Sequence, residues 1–329
     1  MGGLYLISNN LILYMNIEKI LSKLELYNGT DIMDENAKKQ FYKFVKDLKS
    51  SRKVRFVYRG ESNLNEHYNS DLSDIPILTQ RIFIVGEKGR MFLEDHCNME
   101  TNVFEFLWNK FNEKICGLNF SSDRTLEKVS NFIIKNPDFY AYFSNEQNKQ
   151  PFINCINFPH NKRVMVIDYY LSLLHTIGKS GIDSSYFLSS SKNISIAEEF
   201  RNGGIIFYGW IPKKGIKDKT ISYEDINKRN TFIESLWLPI YENSIYPEQN
   251  EVCLKAGLLP HFMIGFQHNT KFYINPNILK SWDKDVIYNG LNIDQSKFSE
   301  IMGHTKYKRS AYFCEGNYYL IDGNDIEEF

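Results

Sequence analysis

The sequence predicts an α+β fold, and three observations carry that expectation. Helical periodicity dominates the first half of the chain. Alternating, β-branched and aromatic stretches dominate the second half. The two kinds of segment do not interleave as βαβ units would, which disfavours a doubly wound parallel sheet. The chain has 329 residues, 43% of them hydrophobic, enough for one large domain or two small ones with a real core.

The opening stretch MGGLYLISNNLILYM is apolar, carries no Lys or Arg, and is broken by Ser8, Asn9 and Asn10. It lacks the basic region of a secretory signal. Leu6 stands where a myristoylation pattern needs Ser or Thr. The apolar run is too short to span a bilayer. It reads as an N-terminal strand or docking segment, with Met15 as an alternative start. In NIEKILSKLELY, Ile17, Ile20, Leu21 and Leu24 fall at helical spacing. Asp34 is placed to cap ENAKKQFYKFVKDLKS, whose Phe41, Phe44, Val45 and Leu48 line one face. Residues 1–52 are therefore expected as an N-terminal helical segment.

KVRFVY, residues 53–58, alternates and is β-rich, so a strand is expected, followed by a polar loop, GESNLNEHYNSDLSD. Residues 96–150 read as mostly helical, and Val164–Leu174 continue as a helix ending near Gly178. The stretch 95–175 is read as a helical insertion in a domain spanning 53–270. The character then turns to β. SYFLSSS is a strand running into a turn and NISIAEEFRN a short helix. GGIIFYGWIP, NEVCLKAG and HFMIGFQH are further strands. Residues 271–329 form a C-terminal extension whose KYKRSAYFCEGNYYLID reads as a hairpin turning at Gly316 and Asn317.

The net charge of −1 announces no global basic field, which disfavours a general nucleic-acid binder but leaves room for a local groove. Cys97, Cys116, Cys155, Cys253 and Cys314 form no CxxC pair, and read as reduced thiols in a cytoplasmic protein.

Three polar stretches carry the candidate chemistry. Arg59 ends a predicted strand and is followed by Gly60, which would let the backbone turn. An Arg fork there suits a diphosphate, although a surface ion pair gives the same sequence. Ser189, Ser190 and Ser191 close another strand, where small hydroxyls can hold neighbours and donate to a ligand. Ser191 or Asn193 can equally cap the helix that follows. Gln249 and Glu251 stand two apart on a turn into a strand, so the strand period would aim both into one cleft. A carboxylate there can bind a ribose hydroxyl and face a cationic sugar.

This ordered set resembles the ADP-ribosyltransferases of the Arg–Ser–Glu, cholera-toxin-like class. Their pattern is an Arg closing a strand, an aromatic-x-Ser-Thr-Ser strand, and a Gln/Glu-x-Glu turn. Here it falls on Arg59, on Phe187 with Ser189, Ser190 and Ser191, and on Gln249 and Glu251, with Ser190 in the Thr position. Tyr246 stands where the turn often carries a substrate-facing aromatic. The segment from Leu173 to Phe200 also resembles FRG-type domains, with His175 and Gly178 one residue further apart than in their His-x-Gly pattern.

The resemblance implies a core of two small packed β-sheets, NAD as substrate and no metal. It implies that Glu251 is catalytic and that Arg59, Gly60, Ser189, Ser190, Ser191 and His175 bind NAD. Gln249 and Tyr246 would meet the acceptor. Gln rather than Glu at 249 goes, in this class, with side-chain amides or nucleobases rather than arginine. A nucleobase of RNA or DNA is the leading expectation, because Lys306, Lys308 and Arg309 lie among Tyr307, Tyr312 and Phe313, a mix that could grip a single strand. A solvated hairpin gives the same pattern. A protein Asn or Gln acceptor, NAD hydrolysis and a non-catalytic binding module are the alternatives. Such an enzyme without a secretion signal suits a toxin–antitoxin or anti-phage effector, with a neutralising antitoxin as partner and no membrane.

Overall fold

The computed structural model describes residues 16–88, 100–113, 123–155, 160–176, 187–212, 220–242, 245–255, 257–307, 309–314, 317–322 and 325–328. The reading of the first fifteen residues lies outside these. The fold is mixed α/β around one open nine-stranded sheet.

Helix α1 (Ile17–Leu21) is short, and the expected helical segment gives way to β1 (Glu25–Asn28) and β2 (Asp31–Ile32). The reason is local. Asn28 pairs with Asp31 around Gly29–Thr30, and Gly29 takes φ +66° at the first central position of the loop, where a tight hairpin turn favours glycine. Helix α2 (Glu35–Ser50) starts as expected. Asp34 accepts from the Ala37 N–H at 2.8 Å, and Phe41, Phe44, Val45 and Leu48 are buried. Strand β3 (Val54–Glu61) runs three residues beyond the expected KVRFVY. The expected polar loop contains helix α3 (Leu64–Tyr68), which buries Leu64 and Tyr68. Helix α4 (Ile75–Val85) and the short β4 (Glu87–Lys88) follow.

The region 95–175 is helical where described: α5 (Glu100–Phe111), α6 (Asp123–Lys135), α7 (Pro137–Ser144), α8 (Lys149–Asn154) and α9 (His160–Thr176). Its core is aromatic, with Phe111 and Phe143 ring centroids 4.5 Å apart beside Trp108, Phe139, Phe152 and Tyr170. The same cluster takes in Phe187 and Cys253, so the helices pack against the strands that carry the Ser and Glu motifs.

Those strands are β5 (Phe187–Ser191), then, after α10 (Ile194–Arg201), β6 (Ile205–Pro212) and β7 (Thr220–Ser222), and, after α11 (Tyr223–Ser235), β8 (Glu251–Lys255). Next come β9 (Gly257–Leu258), β10 (Met263–His268) and β11 (Lys271–Ile274). Helices α12 (Asn277–Ser281), α13 (Val286–Asn289) and α14 (Phe298–Met302) lead to β12 (Arg309–Cys314), β13 (Asn317–Asp322) and β14 (Asp325–Glu328). The last three strands form a separate antiparallel sheet. The tail hairpin is present, but Asn317 pairs with Cys314 as the first residue of β13 rather than sitting in the turn. Gly316 lies outside the described residues.

The main sheet runs β2-β1-β11-β10-β6-β3-β5-β8-β7. It draws strands from all three expected segments, since β1 pairs in parallel with β11. The expectation of two small packed sheets is corrected in one respect. Hydrogen bonding is continuous, but between β3 and β5 it narrows to a single pair, Tyr58 with Ser191. Six strands lie on one side of this seam and three on the other. No described helix is long and apolar enough to cross a membrane.

Candidate functional site

The seam is where the polar motifs meet. Antiparallel register would continue from Tyr58–Ser191 to Gly60–Ser189, but no such pair forms. The Ser189 carbonyl instead accepts from Arg59 Nη1 at 2.9 Å. A side chain thus supplies the donor that a neighbouring strand would otherwise give to this half-buried carbonyl.

On the other side of β5, Ser189 stands opposite Cys253 and Ser191 opposite Glu251. Ser189 Oγ donates to Glu251 Oε1 at 2.6 Å. His175, near the end of α9, brings Nε2 to within 2.6 Å of the same hydroxyl and 3.6 Å of Glu251 Oε1. Burial, with Arg59 adding to it, lowers the His175 pKa against the opposing pull of Glu251, so the ring is neutral near pH 7. Burial and then Glu251 push the Cys253 thiol far up, and Cys253 packs in the aromatic cluster of the helices. Cys155 and Cys253 are both free, as expected of reduced thiols.

Several predicted residues have a structural role here. Ser190 points to the opposite face and donates to the Val252 carbonyl at 2.7 Å. Ser191 donates to the Gln249 carbonyl at 2.6 Å and accepts from the Asn193 N–H at 3.0 Å, fastening the turn to the start of α10. The cap itself is Asn193. Gly60 makes no turn. It is paired with Ile206 inside β3, and a Cβ there would lie 2.1 Å from the Ala197 carbonyl oxygen and 2.5 Å from the Arg201 nitrogen. Its need is steric, since only glycine lets α10 lie across the strand.

Gln249 ends a 3₁₀ turn, Pro247–Gln249, and Asn250 follows with φ +47°, so the strand alternation expected to align it with Glu251 does not apply. The turn sets its direction. Its side chain is half-buried and makes no hydrogen bond to a described residue. Tyr246 packs against the aromatic core of the helical insertion, with Lys128 Nζ 5.7 Å from its ring centre.

Arg59 rests on a buried shell that the sequence reading missed. Nη2 donates to Glu61 Oε2 at 2.9 Å and lies 3.5 Å from Glu87 Oε1. Glu87 is fully buried and accepts from the Tyr68 hydroxyl at 2.5 Å and the Tyr307 hydroxyl at 3.2 Å. His67 Nδ1 lies 3.6 Å from Glu87 and 3.8 Å from Glu61. Burial alone would raise the Glu87 pKa, but His67, Arg59 and Tyr68 outweigh it and hold it low. Burial likewise works against the Arg59 charge, and Glu87 and Glu61 more than offset that. Arg59 Nε is buried with no hydrogen-bond partner. The one readable signal was Arg59-x-Glu61, opposite charges on one strand face.

Among the described residues, two groups have metal-ligand composition, His175–Glu251–Cys253 and Glu61–His67–Glu87. In the first, His175 and Glu251 both turn to Ser189. In the second, the two carboxylates already face a guanidinium, and a divalent ion beside Arg59 would add like charge.

Among the described residues of the basic and aromatic tail, the rings pack against the fold. Phe313 is buried, and Tyr312 packs edge-on against His261 at 4.7 Å. Tyr307 turns inward to Glu87, and Lys306 pairs with Glu66. Lys308 lies outside the described residues. Tyr307, Tyr312 and Phe313 each have a packing or hydrogen-bond partner within the fold.

Comparison with protein-family models, with curated proteins and with solved structures gives no match.

Proposed function

We propose that this protein is an NAD-dependent mono-ADP-ribosyltransferase. The observation that carries the reading is the convergence of Arg59, Ser189 and Glu251 through two hydrogen bonds at one seam in the sheet. These residues lie on three segments far apart in sequence, so their meeting is a property of the fold. The seam also supports an ADP-ribosyltransferase-like core, because two half-sheets joined by one residue pair approach two small sheets.

Under this reading NAD is the substrate. Arg59 meets its phosphate and ribose side, where an anionic oxygen would give the orphaned Nε–H a partner. Glu251 faces the ribose that loses nicotinamide. Its Oε1 is held by Ser189. A fixed carboxylate beside a developing oxocarbenium lowers the barrier without reorganising in the act. Gln249 orients the acceptor through an amide that both donates and accepts.

A nucleobase presents that donor–acceptor pair on one rigid edge, whereas a side-chain amide must be ordered on a flexible stem. A base in RNA or DNA is therefore the acceptor proposed, with a toxin or anti-phage effector as its setting. The test is incubation with adenine-labelled NAD and whole-cell lysate, followed by separate nuclease and protease treatment. Label lost to nuclease supports a nucleobase, and label lost to protease makes a protein amide the acceptor. Nicotinamide release with no label transferred makes water the acceptor.

A further inference from the structure

His175 meets neither Arg59 nor the Gln249 turn in any hydrogen bond described above. One partner is Ser189, and the order of protons between them can be worked out. Nε2 lies 2.6 Å from Ser189 Oγ, and Oγ lies 2.6 Å from Glu251 Oε1. The two ends are 3.6 Å apart, too far to bond each other directly, so the hydroxyl is the link.

A serine hydroxyl has one proton and two lone pairs, and an ionised carboxylate only accepts. The Ser189 proton therefore belongs to the bond with Glu251. Ser189 must accept from its other partner, and His175 must present Nε2–H. A serine otherwise has three staggered χ1 wells, and in the others its proton can leave Glu251.

We infer that His175 is a positioning residue whose Nε2–H locks Ser189 in the rotamer that commits its proton to Glu251. The helical insertion, through the last turn of α9, thereby sets the orientation of a carboxylate on β8. The claim that Glu251 acts on the substrate rests on the transferase reading, but the hydrogen-bond order does not. Burial of the ring, which keeps it neutral, agrees with a fixed tautomer.

Three measurements test this. Long-range ¹H–¹⁵N spectra of histidine-labelled protein, with His175 assigned from its absence in His175→Gln, should show the Nε2–H tautomer. An Nδ1–H tautomer overturns the inference. Crystal structures of two variants give the second readout. His175→Phe keeps a ring against Phe187, now 5.9 Å from His175, but has no N–H. His175→Gln restores an N–H donor of similar reach. Ser189 Oγ should leave Glu251 in the Phe variant and stay in the Gln variant. A Ser189–Glu251 bond unchanged in the Phe variant overturns the role. Third, nicotinamide release should fall about tenfold to a hundredfold in kcat for the Phe variant, the scale of a hydrogen bond to a charged group. KM for NAD should be unchanged, and the Gln variant should recover most of the rate. Equal losses in both variants, or a loss in KM alone, overturn it. If the wild-type protein releases no nicotinamide, the transferase reading fails, and the tautomer and the Ser189 rotamer still decide the role of His175.

Discussion

Arg59 donates from Nη1 to the Ser189 carbonyl at 2.9 Å, across the place where β3 and β5 stop pairing. The guanidinium has two duties there. It closes the seam, and it balances the buried charge of Glu61 and Glu87. Arg59→Ala should therefore cost stability as well as ligand binding. Removing one partner of a buried ion pair typically costs about 3–5 kcal/mol. Glu87→Gln in the same chain should restore part of that, because the stranded charge is gone, while NAD binding stays lost. Urea denaturation of the single and double variants measures the coupling. Strictly additive losses would mean that Arg59 and Glu87 do not depend on each other.

Gly60→Ala should destabilise without touching the site chemistry. The added Cβ would meet backbone atoms of α10, at 2.1 Å and 2.5 Å, which cannot swing aside as a side-chain end would. Overpacking of this kind costs roughly 1–3 kcal/mol, read as a lowered thermal midpoint. A variant as stable as the parent would show that α10 shifts freely over β3.

His67 should give stability a pH dependence with a definite sign. Burial works against its charge, Glu87 and Glu61 more than offset this, and Lys306 opposes them, leaving the folded pKa above the ordinary histidine value. The contribution is then fully present below that ordinary value, about 6.5, and is lost as pH rises through the raised folded pKa. Glu87 acts in the opposite direction. Its folded pKa is lowered, so its contribution is present above the ordinary carboxylate range and is lost as pH falls through the folded pKa. Denaturation midpoints of the parent and of His67→Gln, compared from neutral to mildly alkaline pH, isolate the histidine. The parent should lose stability more steeply. Parallel curves would show that His67 is neutral in the cluster.

Gln249 should govern the acceptor and leave NAD cleavage alone. Its side chain binds no described residue, while its backbone carbonyl is held by Ser191. Substitution to Ala should leave the turn in place. Transfer to the natural target should fall and slow NAD hydrolysis should persist, since water needs no such alignment. Gln249→Glu should admit guanidinium acceptors, which pair with carboxylates in two parallel bonds. Nicotinamide release without target and label transfer with target, measured in each variant, separate the two roles. A matched fall in both rates for the Ala variant would place Gln249 in the NAD site.

Much of this was legible where local rules decide. Asp34 and the Phe41, Phe44, Val45 and Leu48 stripe marked α2, and the run from Phe187 to Arg201 marked β5 and α10. The strand β1 was hidden because Leu24 kept the preceding helical spacing, although Gly29 marked a turn after it. The meeting of Arg59, Ser189 and Glu251 was suggested by motif order. What supports them was not, because Glu87, Tyr68 and Tyr307 reach Arg59 only through tertiary contact. Ser190, Ser191 and Gly60 look like ligand residues in sequence, and the structure gives each of them a packing or fastening role.

The central claim is that Glu251 promotes loss of nicotinamide from NAD. The most direct measurement is the rate of nicotinamide release by the parent protein and by Glu251→Gln, with NAD affinity measured alongside. The substitution keeps the size of the side chain and removes the charge that faces the developing cation. The rate should fall about 10²–10³-fold, with affinity changed far less, since the ground-state ribose carries little of that charge. A parent protein that releases no nicotinamide, or a Gln variant that releases it at the parental rate, would contradict the account.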